Sequence, residues 1–206
     1  MPGQGIRSGR PPTTSRDEVA KVALRLFVER GFEETTLEDV AAALGISRRT
    51  IFRYFGSKND IVWGTFDEHL EGLRSQLADA DPGEPLMEVL RRAVVAFNDY
   101  GDPVLPELRD RMTLITTVPA LQGHSMLRYA DWCAVIAEFV ARRVHAQPDD
   151  HVPQVIAGAA LGTAMASYRH WIRHHELDLL VELDRAFRLL AAGFDERAMT
   201  ELRRER

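Results

Sequence analysis

The chain has 206 residues, 45% of them apolar and 28% charged, with a formal net charge of −5. This is a soluble globular balance, with length for one or two compact domains and a sizeable core. A single cysteine, Cys133, excludes a disulfide framework within the chain. No charged-then-apolar leader opens it, and Val152–Ser167 is too short and too rich in Gly, Ala and Thr to span a bilayer. The expectation is a cytoplasmic protein with no membrane partner.

Residues 1–14 hold three Gly and three Pro and read as a disordered basic arm. Arg7 and Arg10 would let such an arm reach a minor groove, although a solvated tail explains them as well. Ser15 with Glu18 then opens a helix whose apolar face is Val19, Val22, Ala23, Leu26 and Phe27, closed near Gly31. Thr36 with Asp39 opens a second, with Leu37, Val40, Ala41 and Leu44 three and four apart. Gly45 ends it, Ile46 plugs the turn, and Ser47 caps a third helix with Arg48, Arg49 and Thr50 in its first turn. Ile51, Phe52 and Phe55 are expected to anchor that helix, before Gly56 breaks the chain and Ser57 with Asp60 caps the next. Two short helices around a tight glycine turn are the layout of a helix-turn-helix DNA reader, placed here at 15–60.

The remainder, 61–206, also reads as helix, since no run alternates with period two. The pattern predicts one long helix over Ser57–Ala80, then helices over Glu84–Tyr100, Leu105–Thr117, Ala120–His145, Pro153–His175 and Leu177–Gly193. Proline, glycine and acidic residues punctuate them. The fold class is all-α with about nine helices.

Net acidity argues against DNA only until the charge is placed. Residues 1–60 carry ten Lys or Arg against eight Asp or Glu, and local placement sets attraction to phosphate. One of Arg48 and Arg49 is expected to read bases through paired donors and the other to meet phosphate. Thr50 and Tyr54, four apart, present hydroxyls suited to phosphate oxygens. Lys58 and Thr36 start helices, whose N-termini attract anions, and Ser47 joins the candidates at the reading helix. Arg53 is read equally well as a DNA contact or a solvated charge.

An effector pocket is expected among residues 84–175. Its candidate lining is Phe97, Asn98, Arg111, Met112, Ile115, His124, Leu127, Arg128, Trp132, Tyr168 and Trp171. His124, Arg128 and Trp132 share a face by spacing, yet Trp and Met faces are more often core. His170 and His174, also four apart, offer a transition-metal alternative, a metal-responsive regulator. Cys133 as a hydrolase nucleophile is weaker, because no matched base follows from the spacing. No cofactor is expected.

The run LFVERGFEETT, then LEDVAAALGIS, then RRTIFRYFGSKND resembles the TetR family of transcriptional regulators. The Tyr54-Phe55-x-Ser57-Lys58 ending is among its most specific marks, and the match covers about residues 15–65. The resemblance implies backbone contacts to DNA at Thr36, Thr50, Tyr54 and Lys58. It also implies that the last two helices pair with their copies in a four-helix dimer interface. There Gly158, Gly162 and Ala166 would permit close approach, beside Leu180, Leu183, Phe187 and Leu190. A dimer would read a palindrome with half-sites about 34–36 Å apart. Val118–Arg143, with RRTIFRYFGSKNDIVWG, is similar to the mycofactocin-system branch of that family. That likeness implies a repressor of a redox-cofactor biosynthesis cluster, released by a long-chain acyl-CoA. Placing Arg111 or Arg128 at the CoA phosphate is our own assignment, which no family motif fixes.

Overall fold

The structure, a computed structural model, describes residues 14–101 and 104–193. Among them are ten α-helices and no strand, in two compact units divided between Gly64 and Thr65. Residues 1–13, including Arg7 and Arg10, lie outside the described residues.

The first unit holds α1 (Arg16–Arg30), α2 (Leu37–Leu44), α3 (Arg48–Tyr54) and α4 (Lys58–Trp63). Each start is fixed by a side-chain cap. Ser15, Thr36, Ser47 and Ser57 accept from the amides of Glu18, Asp39, Thr50 and Asp60. At Thr36 the box is complete, because the Thr36 amide donates in turn to Asp39 Oδ2 at 2.8 Å. Gly45 ends α2 in the left-handed region (φ 65°, ψ 29°), which frees the next residue to turn into α3. The core is Val19, Ala23, Leu26, Phe27, Phe32, Leu37, Val40, Ile51, Phe55 and Ile61, all buried. Each large member contributes about 1.5–3 kcal/mol by leaving water. Thr35, wholly buried, donates to the carbonyls of Gly31 (2.8 Å) and Leu26 (3.2 Å) and so ties the α1–α2 turn.

Phe52 does not anchor α3. It is 44% exposed, while Ile51 and Phe55 are buried. The pattern of apolar residues at 51, 52 and 55 spans more of the helix than the core can cover. The helix expected over Ser57–Ala80 is also two. It stops at Trp63, and Gly64 takes φ 53°, ψ −116°, a conformation open to glycine and hostile to side chains. The apolar spacing runs on past the break through Phe66, Leu70 and Leu73, which is why periodicity alone joined the halves.

The second unit is a bundle of α5 (Phe66–Ala78), α6 (Leu86–Phe97), α7 (Leu105–Thr117), α8 (Pro119–Val144), α9 (His151–Arg173) and α10 (Leu179–Ala191). The longest, α8 and α9, pack together, and α10 closes against α9 and α6. Pro119 opens α8 directly after α7, with Val118 extended between them, as the residue before proline prefers. Asp178 caps α10 by accepting from Leu180 and Val181. Buried Leu90, Val94, Leu121, Ile136, Val140, Ala160, Leu183 and Phe187 fill the centre. Arg91 of α6 pairs with Asp184 of α10, and Arg74 of α5 with Glu138 of α8 at 3.4 Å.

Leu183 and Phe187 are therefore core of one subunit, both 0% exposed, and are not available to a second chain. The expectation that they line an interface fails because α10 turns this stripe toward α6 and α9. Leu180 and Leu190 are half-buried, while Gly158, Gly162 and Ala166 of α9 are exposed.

Candidate nucleic-acid interface

Helix α3 divides cleanly. Ile51 faces the core, and Arg48, Arg49, Phe52 and Arg53 are exposed. Ser47, Arg49, Thr50, Phe52 and Arg53 line a hollow of about 450 Å³ on its outer side. The structure thus brings Ser47, Arg48, Arg49, Thr50 and Arg53 to one surface, with Thr36 exposed at the start of α2.

The cations there differ in how they are held. Arg48 donates from Nη1 to Glu38 Oε1 at 2.6 Å, and its guanidinium lies 5.2 Å from the Phe52 ring centre. Arg53 donates to the Tyr54 hydroxyl (3.0 Å) and covers that ring at 4.9 Å. Arg49 has no hydrogen bond, ion pair or ring contact among the described residues and is exposed. A free guanidinium on an outward face is the simplest electrostatic handle for a phosphate.

Several hydroxyls and the lysine have internal work. The Thr50 and Ser47 hydroxyls lie 3.0 Å apart, and the Thr36 hydroxyl donates to Asp39 at 2.5 Å. This hydrogen bond, with one from the Thr36 amide, holds the exposed Asp39 carboxyl below its usual range. The Tyr54 hydroxyl donates to the Thr14 carbonyl at 2.5 Å, fastening the chain ahead of α1 to α3. Lys58 donates to the carbonyls of Phe32 (2.6 Å) and Thr35 (3.1 Å) and sits 4.2 Å from the Phe32 ring centre. Its ammonium is turned onto the α1–α2 turn rather than presented outward. Sequence reasoning missed Phe52 as an outward-facing apolar group. Its signal was the third apolar side chain on a seven-residue helix flanked by arginines.

The effector candidates sort differently. Met112, Ile115, Trp132, Tyr168 and Trp171 are buried, and Phe97 is half-buried, edge-on to Phe66 at 6.2 Å. Leu127, 66% exposed, is not part of this buried set. Arg111 pairs with Glu107 at 3.0 Å and Arg128 with Asp67 at 2.7 Å, so each has a carboxylate already beside it. His124 is half-buried. A polar network runs through the bundle. The Tyr168 hydroxyl donates to Asn98 Oδ1, and Asn98 donates to the Val94 carbonyl at 2.8 Å. Burial raises the Tyr168 phenol well above its ordinary value, and neighbouring Tyr100 and Tyr129 raise it further. Burial pushes Tyr100 up to about 12, so both phenols stay protonated donors at neutral pH. Arg109 was not foreseen. It donates to the Trp171 carbonyl, stacks 3.9 Å from that indole, and its pKa is lowered by burial.

The metal alternative finds little support in the geometry. His170 faces Glu182 (3.7 Å) and His174 faces Glu176 (3.4 Å), with the imidazole rings 4.5 Å apart. No group of three or more His, Cys, Asp or Glu suited to a metal occurs among the described residues. Burial raises the Cys133 thiol, which works against a nucleophilic thiolate. No helix among the described residues is long and apolar enough to cross a membrane.

Two family models match the chain. Residues 19–62 match the model of bacterial regulatory proteins of the tetR family, and residues 84–195 that of the MftR C-terminal domain. A Mycobacterium tuberculosis protein named as the mycofactocin biosynthesis transcriptional regulator MftR is 41% identical over 92% of this chain and 96% of its own. The HTH-type transcriptional regulator TcmR of Streptomyces glaucescens is 26% identical over 86% of this chain and 81% of its own. Among solved structures, the Thermus thermophilus repressor FadR with lauroyl-CoA superposes with a TM-score of 0.58 at 24% identity, covering 88% of this chain and 95% of that one. The chain belongs to the TetR family of DNA-binding transcriptional regulators, with an MftR-type C-terminal domain, and is not an enzyme.

Proposed function

We propose that the protein is a homodimeric repressor that places α3 of each subunit in the major groove of a palindromic operator and is released by an acyl-CoA. The observation that carries the DNA half is the split of α3, with Ile51 buried and Arg48, Arg49, Phe52 and Arg53 outward. Such a helix docks on its own unit while offering cations to phosphate and an apolar ring to a thymine methyl. Thr36 and Thr50 add backbone contacts, and Tyr54 and Lys58 serve chiefly by holding the reading head in shape.

The dimer reading rests on α9. Its outward side carries Val152, Val155, Gly158, Ala159, Gly162 and Ala166, all exposed. An added Cβ at Gly158 or Gly162 meets nothing within 4 Å, so nothing inside the subunit demands glycine there. A second copy laid along this face gives the small residues a purpose, with Leu180 and Leu190 at its border. Two heads then read two half-sites, which one seven-residue helix cannot do alone.

For the effector, the MftR-type domain and the lauroyl-CoA complex of the Thermus regulator are the support. Apolar Met112, Ile115, Trp132 and Trp171, all buried, would serve an acyl tail, and the buried Asn98–Tyr168 pair a carbonyl at its end. The ligand acts only through its preference between two dimer states. A hundredfold release from DNA needs a difference of about 2.8 kcal/mol. The protein would act in the cytoplasm, on the genes of a redox-cofactor pathway related to that of the mycobacterial relative.

The test is native mass spectrometry of protein purified from its source, combined with selection from a randomised duplex library. A dimer, an enriched palindrome, and its release by lauroyl-CoA but not by free CoA are the expected results. A monomer, or no enriched sequence, would overturn the reading.

A further inference from the structure

Glu38 is an oddity of this surface. It sits in the first turn of α2, exposed, next to the reading helix. A carboxylate there repels phosphate and lowers affinity for every duplex. As a stabilising element it offers little, because its ion pair with Arg48 is half-exposed on both sides, at 55% and 62%. Beyond its place in the first turn of α2, its side chain engages Arg48.

Arg48 is restrained twice. Its Nη1 edge is held by Glu38 Oε1 at 2.6 Å, and its flat face by the Phe52 ring at 5.2 Å. A guanidinium has five donors in a rigid fork. With Nη1 engaged and one face covered, the Nε–Nη2 edge is left for a partner. Recognition of guanine by arginine needs two parallel donors aimed at O6 and N7. Arg49, one residue on, has no such restraint among the described residues.

We infer that Glu38 is a positioning residue for sequence reading: it holds Arg48 so that a defined donor edge meets a base, and without it Arg48 relaxes toward phosphate. The inference rests on the DNA-reading role of α3. Glu38 trades general affinity for selectivity, a device in which a repulsive charge suppresses wrong sites.

A double-mutant cycle tests it. Wild type, Glu38→Gln, Arg48→Ala and the double variant are titrated onto the duplex that wild type enriches from a random library. Each is also titrated onto an unrelated duplex of equal length, over a range of KCl. Glu38→Gln is expected to bind the unrelated duplex more tightly, with a steeper salt dependence, while the ratio of selected to unrelated affinity drops about tenfold. Arg48→Ala should lower the ratio similarly. In the Arg48→Ala background, Glu38→Gln should leave the ratio unchanged. Selection repeated with Glu38→Gln should lose preference at the base position that Arg48→Ala loses.

Equal tightening on both duplexes would reduce Glu38 to a plain repulsive charge and overturn the inference. So would a change in the ratio that persists without Arg48. If wild type enriches no sequence, the DNA-reading assignment itself fails, which is a distinct result. Thermal melts of all four proteins guard against misfolding, and the exposed pair predicts unchanged midpoints.

Discussion

Arg48, Arg49, Tyr54 and Lys58 lie within eleven residues and look alike as DNA ligands in a sequence. Their contacts separate them. Lys58 gives two donors to the carbonyls of Phe32 and Thr35, and Tyr54 reaches the Thr14 carbonyl. Leaving such carbonyls unmatched costs roughly 1–3 kcal/mol each where they are buried. These two side chains thus fix the surface on which the arginines stand. Arg49 stands on it with no tie to any other described residue. Arg49→Ala should then weaken binding to a selected and an unrelated duplex by the same factor, and flatten the log–log salt dependence by about 0.9 per reading head. Titration across KCl measures both. A loss confined to the selected duplex would make Arg49 a base reader instead.

At the scale of elements, capping chemistry made most boundaries legible. Ser15, Thr36, Ser47 and Ser57 each announce a helix, because a short side chain can satisfy an otherwise idle amide. What local pattern could not show is which of several apolar side chains the fold would cover. Phe52 has the spacing of a core residue and is exposed, while Leu183 and Phe187 have that of an interface and are core. Those outcomes depend on partners far along the chain, as does the Tyr168–Asn98 bond across seventy residues. Gly64 is an isolated glycine inside a helical pattern, a signal of a break that the unbroken apolar spacing masks. At φ 53°, ψ −116° it accepts the side-chain hydrogen bond of Arg16 Nε at its carbonyl, 3.2 Å away. Gly64→Ala would force a side chain into that conformation at a cost of about 1–3 kcal/mol. Urea unfolding should show a lower midpoint with an unchanged slope. A variant as stable as wild type would mean that α4 can run on through this position.

For the whole molecule, the two faces of the α9–α10 pair have opposite fates. Inward lie Ala160, Ala164, Leu183 and Phe187, at 5% exposure or less. Outward lie Val152, Val155, Gly158, Gly162 and Ala166, an apolar strip on a chain otherwise well supplied with surface charge. A second copy covering that strip would make assembly and folding separable by mutation. Ala166→Arg places a long cation on the outer face, where it costs the folded subunit little and cannot be buried against a partner without a counter-charge. Sedimentation velocity should report a monomer, melting should stay within a few degrees, and operator binding should weaken steeply because two linked heads become two independent ones. Leu183→Arg instead buries the charge among Leu179, Phe187 and the α6 face, a loss of about 4 kcal/mol or more. It should yield unfolded or aggregated protein rather than a well-behaved monomer. If Ala166→Arg sediments as a dimer with an intact melt, the contact between copies lies elsewhere on the molecule, and the exposed glycines of α9 need another partner.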